Sequence, residues 1–128
     1  MTTAQKQRPK YYDLNLAHLP VPGLVSIFHR ISGALLFFPV LPVLLWLLQS
    51  TLASEQGWLR WRGVFADPAV KVVVLAFAWL YLHHFFAGIR YLLLDLHLGV
   101  AKEPARASAK LVFAAGALST LLLAWRIW

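Results

Sequence analysis

Apolar residues gather into three stretches, and charged residues are confined to their ends. The first runs without a charge from about Ser32 to Leu52, the second from Val72 to Ile89, and the third, which is shorter, from Leu111 to Trp125. A helix of about 20 apolar residues matches the thickness of a bilayer core. The pattern therefore predicts transmembrane helices over about residues 24–52, 69–97 and 105–127, after a tail of about residues 1–23. Pro20, Pro22 and Gly23 interrupt helix just before the first span. Asp67-Pro68 gives an N-cap followed by the proline that a first helical turn tolerates, so the second helix should begin near Pro68. Gly99 closes its far end, Glu103-Pro104 opens the third helix, and Pro39 and Pro42 predict a kink or a local widening inside the first. The segment from Tyr11 to Leu19 alternates polar and apolar residues, and either lies along the interface or docks on a soluble partner. No repeat, Gly/Ser linker or low-complexity tract divides the chain, so residues 1–128 read as one all-α integral membrane domain.

Composition supports a membrane setting and removes several function classes. Apolar residues make up 60% of the 128 and charged ones 13%, a balance that would leave too much apolar surface in water. Three spans leave no room for a soluble catalytic domain. With no cysteine, the chain alone holds no disulfide, thiolate metal site, attached c-type haem or iron–sulfur cluster, so any metal chemistry rests on histidine. The net charge of +7 is distributed over span ends instead of one soluble face, which argues for topology and against nucleic acid.

Charge also orients the spans. Lys6, Arg8, Lys10 and Arg30 precede the first, and Arg90, Lys102, Arg106 and Lys110 lie between the second and third. Only Arg60, Arg62, Lys71 and Arg126 lie opposite, and eight against four places the N-terminus on the cytoplasmic side. The connection from Ser54 to Pro68 then faces outward, with Trp58 and Trp61 at headgroup level. The first apolar run is too long and Leu-rich for a cleaved signal, so the N-terminus should persist.

Candidate chemistry sits on the second span. At about 100° per residue, His84, Gly88, Tyr91 and Asp95 fall on one narrow stripe, whereas His83 points about 100° away. A neutral imidazole can ligate haem iron, and a glycine one turn on lets a flat porphyrin approach the backbone. The alternative is that His84 hydrogen-bonds a neighbouring helix. The first span brings Ser26, His29, Arg30, Ser32 and Gly33, with Ser26 and Arg30 four residues apart on one face. Arg30 is either a snorkelling topology anchor or, with its serine and histidine neighbours, a ligand for a propionate or quinone oxygen. Ser32 and Gly33 read as helix-packing residues before cofactor contacts, although close packing and a flat cofactor both need missing side chains. His83 reads as structural or partner-facing, and His97 as interfacial.

At these residues the chain resembles the cytochrome b membrane-anchor subunit of bacterial succinate dehydrogenase, the respiratory succinate:quinone oxidoreductase. The resemblance covers nearly the whole chain. It rests on Gln7-Arg8-Pro9 and Asp13-Leu14, on Ser26-Ile27-Phe28-His29-Arg30-Ile31-Ser32-Gly33, on His84-x3-Gly88-Ile89-Arg90-x4-Asp95, and on Ser108-Ala109-Lys110. It implies a helical bundle shared with a second anchor subunit. It further implies that His84 is an axial ligand of haem b, the opposite ligand being a histidine of that subunit. Ser26 and Arg30 resemble the quinone-site residues, and His29 and Arg30 also resemble positions near the haem propionates. Many relatives carry histidine where this chain has Tyr91, a position outside the expected ligand.

The resemblance implies a bacterial inner-membrane, multi-pass protein that anchors a flavoprotein subunit and an iron–sulfur subunit. Succinate is oxidised to fumarate at FAD in the flavoprotein, and electrons pass through iron–sulfur clusters to ubiquinone or menaquinone in the membrane. The chain carries no dinucleotide fingerprint and no cysteine set, so it would serve that enzyme as anchor, haem scaffold and part of the quinone pocket. Two other readings fit three spans: a self-contained bis-histidine carrier using His29 and His84, and a non-redox anchor or transporter component.

Overall fold

The structure, a computed structural model, describes residues 19–128; the tail motifs and the stretch from Tyr11 to His18 lie outside the described residues. Every regular element within that range is helical: α1 (Val21–Leu35), α2 (Leu41–Leu52), α3 (Glu55–Ala66), α4 (Pro68–Asp95) and α5 (Lys102–Ile127). Three rods, Val21–Leu52, Pro68–Asp95 and Lys102–Ile127, are long and apolar enough to cross a membrane.

Proline decides the shape of the first rod. Pro22 occupies the first turn of α1, where a missing N–H costs nothing, so helix begins at Val21 and includes Pro22 and Gly23, while Pro20, extended, stands before it as the N-cap. Pro39 has no N–H to donate back along the helix, and its ring needs room. The chain answers with a π-helical turn, Leu36–Val40, closed by the Leu41 N–H on the Leu36 carbonyl. Of the kink and the widening expected here, this is the widening.

The connection between the first two rods is more ordered than its polar sequence indicates. Ser54 caps α3 by accepting from the Gly57 N–H at 3.0 Å. A Cβ at Gly57 would run into the Ser50 carbonyl, so α3 folds back tightly only because that residue is glycine. Trp61 of α3 meets Trp46 of α2 edge to face, with ring centroids 5.3 Å apart. Asp67 then caps α4, its Oδ1 accepting from Ala69 at 2.7 Å and Val70 at 3.3 Å.

Small residues let α1, α4 and α5 close on one another. Val25, Ala87, Ala109 and Val112 form the buried centre, and Gly116 lies against the His83 backbone, 3.7 Å from the position of an added Cβ. Arg90 pins α5 to α4: its Nε donates to Ser108 Oγ at 3.0 Å and a terminal nitrogen donates to the Ala105 carbonyl at 3.2 Å. Ser108→Ala removes one acceptor from a buried cation, which costs about 1–3 kcal/mol. The variant should unfold at lower temperature in detergent while keeping its helix content by circular dichroism. Outside this small centre the helices present apolar side chains, such as Leu52 at 77% and Trp125 at 81% exposure, which suits lipid or partner helices and not water.

Candidate functional site

His84 stands 16 residues into α4 and 11 residues before its end, about 16 Å from the Asp95 end. There α1 crosses it, and the two helices meet through His29, Ser32 and Gly33. His84 Nδ1 lies 3.1 Å from the His29 carbonyl and 3.1 Å from Ser32 Oγ. A carbonyl can only accept, so Nδ1 carries the proton. Ser32, fully buried, spends its own hydroxyl proton on the same carbonyl at 3.0 Å and offers Nδ1 a lone pair. The imidazole is thereby held in the tautomer whose Nε2 is unprotonated, the form in which histidine binds a metal.

Sterics define the rest of the pocket around this ring. A Cβ on Gly33 would stand 3.0 Å from His84 Cε1, so a side chain there would press on the ring that the His29 carbonyl holds. The His29 ring stacks on His84, centroids 4.2 Å apart and planes 11° apart, and Tyr91 packs on His29 at 5.1 Å. On the His84 stripe, an added Cβ at Gly88 would meet only His29 Nε2, at 3.8 Å. Ser32 and Gly33 are thus contacts of His84 itself, a role their sequence reading as packing residues did not include.

Stacking also bears on metal chemistry. Imidazole lone pairs lie in the plane of the ring, and two rings stacked face to face direct theirs along parallel planes. His29 and His84 therefore do not converge on one iron between them. Among the described residues no group of three or more His, Asp or Glu side chains gathers to hold a bare ion. Among the described residues, His84 is the imidazole held in the ligating tautomer.

The remaining candidates sit elsewhere. Ser26 is half-buried and Arg30 exposed, and neither makes a side-chain hydrogen bond among the described residues. Arg30 lies about 100° round α1 from His29. His83 is fully buried among Phe28, Trp79 and Phe113, at ring distances of 5.9, 5.4 and 5.1 Å, which makes it part of the helix packing. His97, exposed and at φ 61°, belongs to the turn after α4.

The family described as succinate dehydrogenase/fumarate reductase transmembrane subunit matches residues 4–123. The succinate dehydrogenase cytochrome b556 subunit of Coxiella burnetii is 32% identical over 123 residues, covering 95% of this chain and 98% of that protein. The subunits of the same name from Rickettsia felis and Rickettsia bellii are 26% and 27% identical over 117 residues, each covering 91% of this chain and 90% of the relative.

Proposed function

The chain belongs to the succinate dehydrogenase/fumarate reductase transmembrane subunit family, and from that membership we propose that it is a haem b-binding anchor in which His84 Nε2 is one axial ligand. It is a multi-pass membrane subunit of an oxidoreductase complex. The observation that carries the haem reading is the bond from His84 Nδ1 to the His29 carbonyl, which leaves Nε2 as the ligating nitrogen. One turn on from His84, an added Cβ at Gly88 would meet only His29 Nε2, at 3.8 Å, so the backbone there is otherwise open. By the family resemblance, the other residue that would hold the haem is a histidine of a second anchor subunit. Bound there, haem b supplies a one-electron redox centre within the membrane.

The protein's own contributions divide along α1. Towards α4, His29 holds the ligand through its backbone, and its ring and that of Tyr91 shield one side. On the Ser26 and Arg30 side, a hydroxyl and a guanidinium are available to hydrogen-bond quinone oxygens. Arg30 there stabilises the negative charge that builds during reduction of ubiquinone or menaquinone. The flavoprotein and iron–sulfur subunits, with FAD and the clusters, dock on the cytoplasmic side. That is the side assigned to the N-terminus by the basic residues at the ends of α1, α4 and α5. Residues 1–128 are taken as a single anchoring domain in the bacterial inner membrane.

One substitution separates this reading from a self-contained bis-histidine carrier, and a second tests the seat of His84. His29→Ala keeps the carbonyl that orients His84, so the low-spin haem spectrum should persist; a bis-histidine site would lose it. Gly33→Leu forces α1 off the His84 ring and should lower haem occupancy severalfold in assembled complex. The experiment that tests the function as a whole is purification of the complete complex and of the isolated chain, with optical spectra of each. Low-spin haem b in the complex and its loss without the second anchor are expected. Haem retained by the isolated chain supports the carrier, and a complex without haem supports the non-redox anchor.

A further inference from the structure

We propose that the groove between α4 and α5 binds one anionic phospholipid, with its phosphate on Arg90 and an acyl chain running along the groove towards Ala115. The groove encloses about 530 Å³ and is walled by α4, the Gly99 turn and α5, with no residue of α1. It is therefore separate from the His84 pocket, and the inference does not depend on the haem reading. Among its lining residues only Arg90 and Ser108 are polar; Phe86, Ile89, Leu111 and Ala115 represent the rest.

Arg90 is what points to a charged ligand. Its side chain is only 6% exposed, and its bonds to Ser108 and the Ala105 carbonyl satisfy two donors without neutralising its charge. No carboxylate among the described residues pairs with it. Glu103 lies 3.6 Å from Arg106, and Asp95 is about 140° round α4 from Arg90. A buried cation of this kind is costly without an anion, and a guanidinium with donors to spare matches a phosphate.

The walls define the rest of the ligand. The guanidinium is held level with Ala105 and Ser108 near the start of α5, where a membrane span meets the headgroup region. From Ser108 to Ala115 the groove continues about 10 Å deeper along the helix. Lined by apolar side chains, that depth takes hydrocarbon and offers nothing to a soluble anion. An amphiphile with an anionic head meets both requirements, and a lipid with net negative charge compensates Arg90 better than a zwitterionic one.

The test uses the complete membrane complex, exchanged into detergent to remove lipid, then incubated with dioleoylphosphatidylglycerol or dioleoylphosphatidylcholine and read by native mass spectrometry. Wild-type complex should hold at least one more phosphatidylglycerol than Arg90→Gln complex, whose affinity at that site should fall by about tenfold or more. Ala115→Phe fills the deep end while leaving the Arg90 bonds in place, and should weaken binding to a similar degree. If Arg90→Gln fails to assemble, judged by subunit ratio and visible absorbance, Ala115→Phe alone decides. Equal binding of the two lipids by wild type, or unchanged binding in the assembled variants, overturns the proposal. So does displacement of the lipid by millimolar inorganic phosphate, which would mean a plain anion site. Ejection of another membrane subunit by Ala115→Phe would mean that a protein helix occupies the groove, and also overturns it.

Discussion

His84→Ala in the assembled complex should remove the low-spin haem b spectrum, while succinate oxidation with an artificial acceptor stays close to wild type. The expected loss is large because nothing nearby replaces the ligand. His29 stacks flat on His84, with its lone pairs in a parallel plane, and His83 is sealed among aromatic rings on another face of α4. On the proposed function, succinate oxidation belongs to the flavoprotein and does not pass through the haem when an artificial acceptor takes the electrons earlier. His83→Ala is the control: it opens the packing between α1, α4 and α5 and should lower thermal stability, but the haem bands should remain. Measuring pyridine haemochrome content per complex together with dye-linked succinate oxidation separates the two effects.

Arg30→Ala should slow quinone reduction by roughly tenfold to a hundredfold, because a hydrogen bond to a charged group is worth about 1.5–3 kcal/mol. Ser26→Ala, which removes a neutral donor, should have a smaller effect. Arg30 is exposed and makes no side-chain hydrogen bond among the described residues, so its loss should leave the fold intact. Quinone turnover and succinate oxidation are measured on the same preparation, with haem content as the check on assembly. Normal quinone turnover in assembled Arg30→Ala reassigns this side chain as an interfacial anchor.

The long apolar runs made three spans legible, because no soluble fold tolerates them and their lengths match a bilayer. The cap at Asp67 was equally plain, since an N-cap followed by proline has a local signature. Helix α3 was not, because Ser54 and Gly57 act through a single cap and a close approach to the Ser50 carbonyl, which appear only when the chain folds back. At the site, helical spacing selected His84 and Gly88 correctly as one stripe. It could not show that the acceptor for His84 is a backbone carbonyl, since every residue has one. For the same reason Gly33 reads as generic packing until the 3.0 Å approach to His84 is seen. Arg90 reads as a topology charge, because its bond to Ser108 joins residues 18 apart across a turn.

The most direct test of ligation by His84 is chemical rescue. In complex carrying His84→Gly, haem b is expected to be lost or converted to a high-spin form, and added imidazole should restore the low-spin spectrum by entering the space left by the side chain. In His29→Gly, whose carbonyl is retained, the low-spin spectrum should be present without imidazole. A His84→Gly complex that keeps an unaltered low-spin haem before imidazole is added would contradict the assignment.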